Sequence, residues 1–163
     1  MKLPGPLYGS VTPFYSVDEQ GVPTVWTSFS ANVAEYTTTV PSPYSSSSRM
    51  VTELVCPSRE SVMPIESESN CNSYLLQPKV MTVNRGLQRP FGYPNRDSPT
   101  ESLNFSDIQN PATAPVMFDL DADIWRELGN SSPSGVPEHP AHGNTRNYLY
   151  FDGHVEAVSV SEN

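Results

Sequence analysis

Two short runs rich in aromatic and β-branched residues, 147–151 and 154–158, flank Asp152-Gly153 near the end of the chain. Such runs on either side of Asp-Gly predict a β-hairpin, because both turn residues tolerate positive φ; the expected connection is a two-residue type I′ turn. That turn would set Tyr150 opposite Val155 and Tyr148 opposite Ala157, giving one apolar face. Leu149, Phe151, His154 and Glu156 would share the other face, mixed and only partly covered.

Further strands are predicted at 50–55, where Cys56-Pro57 ends the ladder, at 73–76 and at 115–118. After the last of these, 119–129 reads as a short helix, with Asp119, Asp121 and Asp123 at its start and Gly129 at its stop. Over 23–36 the positions Val25, Trp26, Phe29, Val33 and Tyr36 fall at helical spacing, although the Thr and Ser between them keep a strand reading open. The low-complexity stretch 37–49, broken by Pro41 and Pro43, reads as a surface loop, and 77–106 as a long excursion rich in Pro, Gly, Asn and Arg. The 1–22 segment, with Pro4, Gly5, Pro6, Gly9, Pro13 and Gly21 among Leu7, Tyr8, Phe14 and Tyr15, reads as an extended arm that docks on a surface.

Composition narrows the fold class to mainly β or α+β, with an antiparallel sheet, long proline-rich loops and little helix. The 17 prolines among 163 residues decide this, since proline lacks a donor and fixes φ, which interrupts helices and confines strands to short pieces. That length supports one core, so the expected organisation is a single globular unit over 23–163 behind the 1–22 arm. A net charge of -9 argues against nucleic acid and against anionic membrane surfaces as partners. The basic positions Lys79, Arg85, Arg89 and Arg96 are diluted by Pro, Gly and Asn and read as a solvated loop. No stretch approaches the roughly 18 consecutive apolar residues of a membrane helix, and the first residues lack the apolar core of a secretory signal.

Candidate chemistry is sparse. Asp119-x-Asp121-x-Asp123 resembles the first half of a calcium loop, without the glycine and distal glutamate of an EF-hand; helix capping by the same carboxylates is the alternative. Glu138, His139 and His142 invite a metal reading that Pro137 and Pro140 oppose by excluding helical spacing. His142 is a candidate ligand or proton carrier, or else a loop histidine bonded to backbone, while Asp152 serves the turn and His154 lies on the mixed face. Cys56 and Cys71 lie close enough in sequence for an intrachain disulfide worth about 3 kcal/mol, with two buried free thiols as the alternative. No Gly-x-Ser-x-Gly elbow and no glycine-rich phosphate loop is present, so a hydrolase is the weakest of the functional readings.

His142, nine further residues and then Asp152-Gly153-His154 form a recognisable pattern. It resembles the His-x9-Asp-Gly motif of prepilin-type processing-associated proteins, relatives of type IV pilins and type II secretion pseudopilins. Upstream, Val55-Cys56-Pro57-Ser58 is similar to that family's Cys-Pro turn, Asn72-Ser73-Tyr74 to its Ser-Tyr strand, and 108–113 to the segment before a strand ending in Asp, here Asp119. The resemblance covers about residues 50–160. It implies a pilin-type head whose antiparallel sheet packs on a long N-terminal helix, acting as a structural filament or pseudopilus subunit outside the cell or in its envelope. It also implies other pilin subunits as partners and no cofactor, although type II pseudopilins often bind calcium in a head loop, which adds to the calcium reading of the three aspartates. The alternative function is a secreted calcium-, metal- or ligand-binding module in which those aspartates, or His142, Asp152 and His154, hold an ion. The family's basic leader, cleavage site and long apolar helix have no counterpart in these residues; a sequence that starts late, a soluble paralogue, and a split pilin partnered by a separate helix-bearing chain are the three competing explanations.

Overall fold

The computed structural model describes residues 1–69, 71–95, 97–129 and 135–160. The protein is mainly β, with antiparallel sheets and little helix. Its strands and helices follow in chain order as β1 (Ser10–Val11), β2 (Phe14–Ser16), α1 (Phe29–Val33), β3 (Thr39–Pro41), β4 (Ser48–Val51) and α2 (Pro57–Val62). Then come β5 (Tyr74–Leu76), β6 (Val80–Thr82), β7 (Gly86–Gln88), β8 (Pro115–Asp119), α3 (Ala122–Glu127), β9 (Thr145–Tyr150) and β10 (Val155–Ser159). They form a five-stranded sheet of order β1-β5-β8-β9-β10, a three-stranded sheet β2-β4-β3 and the hairpin β6-β7. Among the described residues no helix is long and apolar enough to cross a membrane.

The inner strands of the five-stranded sheet are covered on both faces, while β10 at its edge is exposed. Leu75, Phe118 and Tyr148 lie opposite one another across β5, β8 and β9, with the Phe118 and Tyr148 rings stacked at 5.2 Å. They pack against Leu120, Ala122, Ile124 and Val136, the smaller core. Because successive strand residues point to opposite faces, Val11, Leu76 and Met117 turn to the larger core. Leu7, Tyr15 and Val17 from the 1–22 segment join that core, and the segment supplies β1 to one sheet and β2 to another.

Several elements differ from the sequence expectation. The C-terminal hairpin is slipped by one residue: Val155 pairs with Leu149 and Glu156 with Tyr148, so Tyr150 does not face Val155. A three-residue loop, Phe151-Asp152-Gly153, replaces the two-residue turn. It is closed by Gly153 N donating to Tyr150 O at 3.0 Å and Tyr150 N donating to His154 O at 2.9 Å, with Gly153 at φ +94°. The reason is Phe151, 9 % exposed, which stacks on Phe91 at 6.1 Å and meets Phe105 edge-on at 6.5 Å. The longer loop lets that ring enter the core; the shorter turn would have left it on the mixed face.

The polar stretch 37–49 is not all loop, since it holds β3 and the start of β4. Pro41 is tolerated because β3 is an edge strand, and Glu68 accepts hydrogen bonds from the hydroxyls of Ser42 and Ser48, satisfying serines that would otherwise favour solvent. Inside the 77–106 excursion, Thr82 and Gly86 close the β6-β7 hairpin, the Thr82 hydroxyl donating to Gly86 O and accepting from Arg85 N. The 23–36 helix shrinks to α1 and a following 3₁₀ turn, with Ser28 capping α1 and Trp26 and Tyr36 exposed. The 50–55 strand stops at Val51, and Pro57 opens α2 at a first-turn position where its missing N–H costs nothing.

The hairpin register gives a direct contrast. Phe151→Ala should lower stability by about 3 kcal/mol or more, the range for emptying a buried aromatic site, whereas Val155→Ser on the exposed outer strand should cost less than about 0.5 kcal/mol. Equal losses in guanidinium unfolding would contradict the slipped register.

Candidate functional site

The most enclosed polar cluster lies beside the carboxyl end of β8. Asp121 is wholly buried and Arg146 is 4 % exposed. Arg146 Nε and Nη2 donate to the two Asp121 oxygens at 2.6 and 2.8 Å, a bidentate fork matched to a carboxylate. Asp121 also caps α3, accepting from Ile124 N at 3.0 Å. One carboxylate thus starts the helix and neutralises an arginine that β9 carries on the same face as Tyr148.

Two residues earlier, Asp119 accepts from Asn147 N at 2.7 Å. Its Oδ2 also lies 3.5 Å from His142 Nε2, and that nitrogen is 3.6 Å from Cys56 Sγ. Burial pushes the Asp119 carboxyl above its ordinary range, opposed by the Asn147 N–H and by His142. Half-buried Tyr74, paired with Asp119 across β5 and β8, has its phenol pushed well up by burial, with the potentials of Cys56 and Asp119 adding to it. Sequence motifs separated by up to 86 positions therefore meet at one place.

Cys56 caps α2, its sulfur accepting from Arg59 N at 3.4 Å. Arg59 is 1 % exposed and its guanidinium donates to the carbonyls of Met63 and Gly135. Cys71 is fully buried and its thiol donates to Glu68 O at 2.6 Å; burial pushes it up to about 11. Both cysteines are free and buried. Of the two sequence readings, this arrangement is the pair of thiols.

A thiol nucleophile is activated by a histidine that takes the proton on one ring nitrogen while an acid holds the other. Here Nε2 of His142 faces both the thiol and the carboxylate, so the geometry joins three side chains without forming that relay.

The three aspartates do not converge. Asp121 is committed to Arg146 and Asp119 to Asn147, while Asp123 points outward to Arg126 at 3.2 Å and His139 at 3.3 Å. Arg126 reaches Glu138 at 2.7 Å, so the acid and histidine singled out in the 138–142 segment belong to a surface ion-pair group. Among the described residues no group of three or more His, Cys, Asp and Glu side chains could hold a metal ion. At the hairpin tip, Asp152 Oδ1 and His154 Nδ1 are 2.6 Å apart, and the His154 ring stacks on Tyr150 at 4.3 Å.

Sequence reasoning missed Arg146 and the contact of Cys56 with His142. The available signal for Arg146 was an arginine at alternate spacing with Tyr148 inside an apolar strand, a position where a charge requires a buried partner. No family model, curated protein or solved structure matches this chain.

The thiols give a test that separates the two cysteine states. Thiol titration with Ellman's reagent should find neither sulfur rapidly reactive in the native protein and both reactive in guanidinium without reductant; no reaction in guanidinium would mean a disulfide. The Cys71 shift has a sign as well. Its folded value of about 11 exceeds the ordinary 9.0, so the stability from burying the neutral thiol is complete below 9.0 and is lost as pH rises through about 11. Between pH 9.0 and about 11, the melting temperature of Cys71→Ala should therefore fall less than that of the parent.

Proposed function

We propose that the chain is the head of a pilin-like structural subunit, assembled into an extracellular or envelope filament or pseudopilus with other pilin subunits. The observation that carries this reading is spatial: the segments that resemble the family pattern are neighbours. Cys56 contacts His142, His142 faces Asp119, Asp119 pairs with Tyr74, and the His-x9-Asp-Gly segment forms the C-terminal hairpin of the same antiparallel sheet.

The disposition of those side chains supports a scaffold role. They are turned toward one another and hold strands and helices together, which suits a head whose work is to keep its shape under lateral packing. The outward features are equally simple. β10 is the last strand of the sheet, with no strand paired to its outer edge among the described residues, and Val155 at its start is 63 % exposed. An open edge strand is a natural template for a neighbouring chain.

Immunogold labelling of filaments sheared from the native source, with antibody against this chain, tests the proposal. Label should run along the filaments and be absent from filaments of a strain in which this chain's gene is deleted. Only dispersed monomers, in sheared and whole-cell samples alike, would contradict it.

A further inference from the structure

The chain is acidic, with a net charge of -9, yet four of its nine Lys and Arg residues line one cleft of about 780 Å³: Lys2, Lys79, Arg85 and Arg89. The cleft lies between the β6-β7 hairpin and the 100–107 segment. Two of the cations face carboxylates, Lys2 with Glu101 at 2.7 Å, largely in solvent, and Arg85 with Asp107 at 3.6 Å, where Asp107 is only 29 % exposed. Lys79 and Arg89 form no ion pair among the described residues, and the Arg89 guanidinium lies over the Tyr93 ring at 4.6 Å. Local positive charge is thus concentrated on a molecule that is negative elsewhere.

Lys79, Leu87 and Arg89 also line a second cleft of about 720 Å³, so a basic cleft and an aromatic cleft adjoin along these side chains and together form a groove. Tyr8 and Tyr93 meet edge-on at 6.1 Å in the aromatic half, and are 47 % and 38 % exposed. Gln88, Thr100 and Asn104 add amide and hydroxyl groups to the basic half. Either cleft has the volume of a small-ligand site.

We propose that this groove binds an acidic saccharide, its carboxylate or sulfate groups on Lys79, Arg85 and Arg89 and a sugar face on Tyr8 and Tyr93. Charge complementarity selects an anion. The exposed aromatic rings select a ligand with apolar C–H faces beside its polar groups, and the amides and hydroxyls suit sugar hydroxyls. A nucleic acid fits worse, because a dense phosphate chain extending beyond two unpaired cations meets the acidic remainder of the surface. This inference stands independently of the filament reading, since it concerns only the groove.

Titration calorimetry of the whole chain with five defined probes tests it: an oligogalacturonate, a sulfated heparin-derived hexasaccharide, neutral cellohexaose, hexaglutamate and an oligothymidylate. At least one acidic saccharide should bind with affinity that falls as salt rises, about tenfold or more tighter than cellohexaose or hexaglutamate. The double variant Lys79→Ala with Arg89→Ala, and separately Tyr93→Ala, should each weaken binding about tenfold, while Arg49→Ala, remote from the groove, should leave it unchanged. Melting curves identify any variant that has merely unfolded, and the two independent substitutions keep the test decisive. The proposal is overturned if neither acidic saccharide binds, if hexaglutamate or an oligothymidylate binds as tightly, or if folded groove variants bind like the parent.

Discussion

Arg146 enters the interior from β9 and meets Asp121 through two short hydrogen bonds, with both side chains almost removed from solvent. A buried guanidinium without its carboxylate would be an uncompensated charge, so wherever Arg146 points, Asp121 must be. That requirement fixes the chain direction after β8, starts α3 through the cap at Ile124, and places α3 over Leu75, Phe118 and Tyr148. The smaller core, the helix and the C-terminal hairpin are therefore set by one ion pair, while the larger core on the opposite face is built from ordinary apolar burial.

The same economy explains the second cluster. Asp119 cannot sit unpaired at 5 % exposure, and its needs are met by the Asn147 N–H with His142 nearby, which brings Cys56 and α2 against the sheet. Asp119, Asp121 and Cys56 are buried, and with the partly exposed His142 they connect strands and helices. Outward, the molecule offers the outer edge of β10 and a groove in which basic and aromatic groups meet. The proposals of a packed head and of a saccharide-binding groove rest on this division between an inward polar frame and outward recognition surfaces.

How much of this the sequence revealed depended on whether local patterning and tertiary burial agreed. β5, β8, α3 and the existence of the last hairpin were legible, because apolar runs, the Asp cap and the Gly129 stop all speak locally. The hairpin register was not, because the burial of Phe151 against Phe91 and Phe105 outweighs the preference of Asp-Gly for a two-residue turn. β3 and the first half of β4 were hidden by a serine-rich stretch whose partner, Glu68, lies 20 and more positions away. Apolar spacing over 23–36 overestimated a helix whose Trp26 and Tyr36 find no core. The candidate site was legible as a set of residue types and illegible as an arrangement: Asp119, Asp121 and Asp123 look like one ligand set in sequence, but their partners are Asn147, Arg146 and Arg126, two of them more than twenty residues away.

A double-mutant cycle at the ion pair addresses the account most directly. By guanidinium unfolding, Asp121→Ala and Arg146→Met should each cost about 3–5 kcal/mol, the range for orphaning a buried charge. The double variant should cost less than the sum of the two by about 2 kcal/mol, and Asp123→Ala, on the solvent-facing pair, should cost less than about 1 kcal/mol. Single losses as small as that of Asp123→Ala, or strictly additive losses, would contradict the claim that the Asp121–Arg146 pair organises the fold.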